Sequence, residues 1–242
     1  VTSTSTAYVE GAANTQTYIY ISESVGNHIL RCKLEQNNVS DCQVVLGNIM
    51  GPQDIVIVGS RFYVVTYYQS TVFACNLSGG DIESCVQTPL PITGLTYMIY
   101  KNYSLYITDF DLKRTVQCSL DYNLDVQNCL PVPPIVPVDL VSSANQLFNT
   151  SNYASYTYFT SFLKSGSSEV YKCVESACKT LRDPNLSGVN KIKVFNRTAY
   201  LTDGNTNNLL SCAIEPNGDF APCQVLKSGL NIPVALIIYT TS

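Results

Sequence analysis

The chain has 242 residues, 45% of them hydrophobic and 13% charged, with a net charge of −4 and a pI near 4.9. That balance allows a large core and argues against a nucleic-acid surface, which needs a basic stripe. The longest apolar runs, Ile55–Val58 and Ile232–Tyr239, are of strand length, so no membrane span is expected.

The chain opens at Val1 with neither Met nor an apolar signal segment, which implies a leader removed ahead of the numbering. Residues 1–16, Thr/Ser-rich at Val1–Thr6, read as an N-terminal arm of a single domain covering 1–242. Beyond them a phrase recurs: Tyr20-Ile21-Ser22-Glu23, Val64-Val65-Thr66-Tyr67, Tyr106-Ile107-Thr108-Asp109, Tyr158-Phe159-Thr160-Ser161 and Tyr200-Leu201-Thr202-Asp203. Tyr, Val, Ile and Thr favour strands because branched and aromatic side chains pack on a pleated surface.

Each phrase precedes a cysteine pair: Cys32/Cys42, Cys75/Cys85, Cys118/Cys129, Cys173/Cys178 and Cys212/Cys223. A Pro/Gly-rich link follows each pair and leads into an apolar strand such as Asp54–Val58, Thr96–Tyr100 or Asn190–Val194. The period is about 43 residues, that of a four-stranded propeller blade. In each unit, strand a follows the link, b carries the phrase, c ends at the first cysteine and d holds the second. Opposed positions of a c–d hairpin lie close enough for a disulfide, so each cysteine is expected to bond its neighbour. Zinc sites use Cys-x-x-Cys spacing or several histidines, and this chain has neither. Ten cysteines in pairs point to an oxidising, extracellular compartment.

The first unit lacks a strand a, and the chain ends with a strand a that has nothing after it, Val234–Tyr239. The expected fold is therefore an all-β, five-bladed β-propeller of four-stranded blades, one disulfide per blade, closed by the C-terminal strand. Thr4–Gly11 is the competing candidate for the closing position.

The Tyr-Ile-Thr-Asp phrase and the hairpin Asn217-Gly218-Asp219-Phe220-Ala221-Pro222-Cys223 resemble the YVTN-type β-propeller repeat of secreted and surface proteins. The resemblance covers nearly all of the chain after residue 17. It implies fold and says little about function. Tyr67 and Ser161 stand where the phrase would carry Asn or Asp, so no binding role transfers.

In such a ring the b–c and d–a loops share one face, here the top. The sequons at Asn38, Asn76, Asn102, Asn149 and Asn196 fall in c–d or a–b turns, at the bottom, and Asn185 falls in a top link. N-glycosylation there would cover the bottom and leave the top for recognition. The candidate binding residues are Glu23, Tyr67, Asp109, Phe110, Asp111 and Asp203 after strand b, with Asp54, Asp139 and Asn190 at the axial starts of strand a. Aromatics beside carboxylates and amides suit a glycan, yet Asp and Asn at strand ends also satisfy their own turns. His28 reads as a loop residue. No catalytic residue, metal or cofactor is assigned. A carboxyl pair for glycoside chemistry has only Asp54 and Asp139 to offer. The expected function is a secreted, N-glycosylated, non-enzymatic recognition or assembly protein that binds a glycan, an extracellular protein or its own copies. A top-face lectin is the alternative, and a glycoside-processing enzyme ranks below it.

Overall fold

The computed structural model describes residues 16–36, 38–90, 94–109, 114–132, 157–162, 168–174 and 177–241. The first blade holds β1 (Thr17–Glu23), β2 (His28–Glu35) and β3 (Asn38–Gly47). The second holds β4 (Pro52–Val58), β5 (Arg61–Thr66), β6 (Thr71–Ser78) and β7 (Asp81–Pro89). The third holds β8 (Leu95–Lys101), β9 (Ser104–Asp109), β10 (Arg114–Leu120) and β11 (Val126–Val132). A sheet of three described strands follows: β12 (Thr157–Phe162), β13 (Ser168–Val174) and β14 (Ala177–Leu181). The last blade holds β15 (Val189–Phe195), β16 (Thr198–Asp203), β17 (Asn208–Ala213) and β18 (Gln224–Lys227). Finally β19 (Pro233–Thr240) returns to the first blade, whose order is β19-β1-β2-β3.

The inner strands set out a ring. β4 lies against β19 on one side and β8 on the other, and β15 lies against β19 and β12. Strand alternation explains the packing. Phe62 and Val64 of β5 join the core shared with the first blade, while Tyr63 and Val65 join the core shared with the third. β5 is thus buried on both faces from Phe62 to Thr66, and apolar as far as Val65. The chain is an all-β propeller with four complete four-stranded blades among the described residues.

Closure occurs as expected, with Tyr18 opposite Tyr239 and Ile21 opposite Leu236. Just beyond the two strands, the Thr241 N–H donates to the Gln16 carbonyl at 2.9 Å. Residues 1–15, including Thr4–Gly11, lie outside the described residues. Disulfides join Cys32–Cys42, Cys75–Cys85, Cys118–Cys129 and Cys212–Cys223, each within one blade. Cys173 stands opposite Cys178 in the β13–β14 ladder.

Two registers need correction. The a–b turns align Tyr63-Val64-Val65-Thr66 with Tyr106-Ile107-Thr108-Asp109, because Val58 pairs with Arg61 as Lys101 pairs with Ser104. Thr66, not Tyr67, therefore occupies the Asp position in the second blade. Strand a also carries a bulge near its start, so Thr96 and Asn190 are extra residues. The axial equivalents of Asp54 are Tyr97, Lys191 and Ala235. A bulge adds one residue without changing composition, so residue counting along the chain passes over it.

The repeated Tyr has a structural use that the sequence reading missed. Tyr20, Tyr63 and Tyr158 are buried, and each donates its phenol proton to a carbonyl in the next c–d turn, of Gly80, Leu124 and Gly218 respectively. Each of these carbonyl residues has a positive φ and precedes an Asp. That Asp takes a cation from the first partner's blade: Asp81 pairs with Arg31, Asp125 with Arg61 and Asp219 with Lys172. One phenol and one cation thus latch neighbouring blades at their lower rim. Burial pushes the Tyr20 and Tyr63 phenols far above their ordinary range, so they remain donors.

Candidate functional site

The axis is tied across rather than left as a polar binding well. Lys191 Nζ of β15 lies 2.8 Å from both oxygens of Asp54 on β4, joining two blades that are not neighbours. Asp54 also accepts the N–H of Ile55 at 2.8 Å and that of Met98, on the inner edge of β8, at 3.0 Å. Both charged side chains are almost wholly buried, at 6% and 2% exposure. Lys191 Nζ lies 5.7 Å from the Tyr97 ring centroid, within cation–π range. Asp54 is axial as expected, but its charge is taken by a lysine that the register slip had hidden.

Among the described top-face candidates, Glu23, Tyr67 and Asn190 are engaged with other segments of the protein. Glu23 is buried, accepts the N–H of Asn231 at 2.6 Å and pairs with His28. His28 is therefore a half-buried partner at the start of β2, not a loop residue. Its two ring nitrogens meet Glu23 and the Gly26 carbonyl. Asn190 Nδ2 donates to the Pro233 carbonyl at 2.9 Å. Tyr67 donates its N–H to Gly51 at 2.8 Å, and its ring meets Tyr68 edge-on. Asp109 ends β9 and pairs through its backbone with Leu95 and Arg114. Phe110, Asp111 and Asp139 lie outside the described residues.

Asp203 shows what the phrase-ending acid does. It is fully buried and accepts the N–H groups of Ser187, Gly188, Asn205 and Thr206 at 2.9–3.1 Å. Burial alone would raise its pKa, but these donors outweigh burial and hold the carboxyl below its ordinary 3.8. Asp203→Ala orphans them and should cost at least about 2 kcal/mol at neutral pH. A depressed folded-state pKa stabilises above the unfolded value and ceases to do so as pH falls through the folded one. The gap between wild type and variant in urea unfolding should then stay level down to pH near 4 and shrink below it. A gap that widens in acid would refute this role.

Asparagine loops tie the d–a links down in the same way. Asn27 Oδ1 accepts the Gly51 N–H at 2.9 Å, and Asn207 Oδ1 accepts the Ile232 N–H at 3.0 Å. These held loops leave four large apolar residues exposed, Val25, Met50, Tyr68 and Ile232, at 62%, 52%, 69% and 42%, beside the polar Asn48, Asn205, Thr206 and Asn231. Bonds from Ser24 to Ile232, from Gly51 to Asn27 and from Met50 to Gln69 tie the four loops together. Sequence reasoning overlooked this patch because scattered apolar loop residues form no motif.

Of the sequons, Asn102 and Asn196 open exposed two-residue turns with φ of 50° and 47°. Asn38 starts β3 and Asn76 lies near the lower end of β6, both exposed. Asn185 is exposed, but its Nδ2 donates to the Cys223 carbonyl at 3.0 Å. Asn149 lies outside the described residues.

Among the described residues no group of three His, Cys, Asp or Glu could hold a metal ion, and no helix is long and apolar enough to cross a membrane. No family model matches the chain, and no curated protein matches it. Solved structures do. The nidogen chain of a nidogen/laminin complex is 14% identical, with TM-score 0.48, over 90% of this chain and 81% of that one. AztD from Citrobacter koseri is 8% identical, with TM-score 0.47, over 95% and 99%. The periplasmic gluconolactonase of Pseudomonas aeruginosa is 11% identical, with TM-score 0.41, over 91% and 69%.

Proposed function

We infer that this chain is a secreted, N-glycosylated and non-enzymatic propeller of the YVTN type that recognises or assembles with an extracellular protein through its top face. The β12–β14 sheet is, in this reading, a fifth blade, and Cys173–Cys178 is its disulfide. The four disulfides already observed fit an extracellular protein.

The carrying observation is the division of the two faces. Four exposed sequons, Asn38, Asn76, Asn102 and Asn196, sit at the bottom against one, Asn185, on top, so sugar would cover the exposed Tyr103 and Tyr122 of the bottom turns and leave Val25, Met50, Tyr68 and Ile232 of the top loops bare. Rigid, rimmed apolar surface suits a protein partner. A glycan would call for free carboxylates and amides, and Glu23, Asn190 and Asp203 are bonded within the protein, to Asn231, Pro233 and Ser187.

Native material should sediment as a complex larger than the 26.6 kDa chain with its sugars. The Met50→Ser/Tyr68→Ser variant, which keeps every loop bond, should return it to a monomer. Glycopeptide analysis should find the four bottom sites occupied. A native monomer that binds glycans on an array would support the lectin alternative instead.

A further inference from the structure

The last blade turns at its lower rim through two residues. Phe195 ends β15 and Thr198 opens β16, and the two stand opposite each other in the ladder. Between them Asn196 and Arg197 have φ of 47° and 60°, the left-handed pair of a type I′ turn. Both are exposed. Asn196-Arg197-Thr198 is a sequon, and the residue ahead of it is aromatic. Phe195 is half-buried and packs against the core at the ring's closure, which holds Ile19 and Ile21 of β1, Tyr200 and Leu209 of the last blade and Leu236 of β19. The part of Phe195 left accessible lies at this rim, next to the sugar acceptor.

Among the described sequons Asn196 alone follows an aromatic residue: Asn37, Cys75, Lys101 and Pro184 precede the others. Phe148 precedes Asn149, outside the described residues. The third blade repeats the turn without the aromatic. There Asn102 and Tyr103 have φ of 50° and 56°, and the ladder partners on either side are Lys101 and Ser104. It is a matched comparison within the same chain.

We propose that Phe195 binds the first sugar on Asn196, which makes this glycan a working part of the fold at the ring's closure. The ligand is the N-acetylhexosamine at the root of the chain's own glycan. One face of such a sugar is lined by C–H groups, and that face and an aromatic ring bury apolar surface on each other. Reach allows it, because adjacent Cα atoms are ~3.8 Å apart, less than the length of an asparagine side chain carrying a sugar. The ladder already fixes the turn on both sides, so the sugar has no loop to order. Arg197 also stands where type I′ turns favour glycine, and a sugar held beside it steadies that turn. The inference rests on the reading that the bottom sequons carry sugar, and adds what one of those sugars does.

Two forms of the protein are compared in urea unfolding, glycosylated from a secreting eukaryotic culture and bare from an oxidising bacterial periplasm. Phe195→Leu keeps apolar packing and removes the ring, and sugars elsewhere on the chain cancel in the comparison. It should raise the unfolding constant about fivefold more in the glycosylated form than in the bare one, the size of a cross-strand aromatic contact. Phe195→Tyr, which keeps the ring, should show no such difference. With Phe195 unaltered, Asn196→Gln should likewise cost about fivefold more in the glycosylated form, and Asn102→Gln should cost the same in both. Trimming to one sugar per site with an endoglycosidase should leave these differences in place. Glycopeptide masses read occupancy. A bare Asn196 in the glycosylated material overturns the inference together with the reading of this site as glycosylated. An occupied Asn196 with equal effects in the two forms overturns the inference alone, as does a difference that is lost on trimming or matched by Asn102→Gln.

Discussion

Asp54→Asn is expected to destabilise the ring by about 3–5 kcal/mol, the usual cost of leaving one partner of a buried ion pair uncompensated. Lys191 would keep its charge with 6% of its side chain exposed. Met98 and Ile55 would compete for one remaining side-chain acceptor. Urea unfolding should show a lower midpoint with an unchanged slope, since the exposed area hardly differs. Adding Lys191→Met should recover at least half of the loss, because replacing both members by neutral groups removes the orphaned charge. A single variant costing under about 1 kcal/mol would mean that the tie across the axis is solvated and energetically idle.

Ending the chain after Gly229 should have a still larger effect, a loss of folding rather than a shift in it. The missing β19 supplies buried Ala235 and Leu236 and covers Ile19 and Ile21 of β1. It also lies against both β4 and β15, so its loss opens the ring at the axis as well as at one sheet edge. An unpaired apolar edge invites association with other chains. The truncated product should aggregate or fail to be secreted, as size-exclusion of the culture medium would show. A soluble monomer with cooperative unfolding would mean that another segment, Thr4–Gly11 by the sequence, can take the slot.

Strand content, repeat period, four of the five expected cysteine pairings and the C-terminal closure were legible from residues alone. The first three rest on local chemistry: branched and aromatic strand formers, Gly and Pro in links, and hairpin geometry that brings spaced cysteines together. Closure was legible because an apolar strand at one end matched a missing strand at the other. The bulges at Gln53, Thr96 and Asn190 were not. They displaced the axial reading by one residue in the third and last blades, which put Asn190 in the place of Lys191. The candidate site suffered most. Glu23, Asp54 and Asp203 have the composition of a binding face, and the tertiary structure turns each one inward, to Asn231, to Lys191 and to the Ser187–Gly188 backbone. The sequence by itself determined the local elements and their order, since those follow from each residue's own backbone preference. Only the tertiary structure decided which polar groups are spent and which are free, because that depends on donors and cations brought by segments far along the chain, as Lys191 reaches Asp54 from 137 positions away.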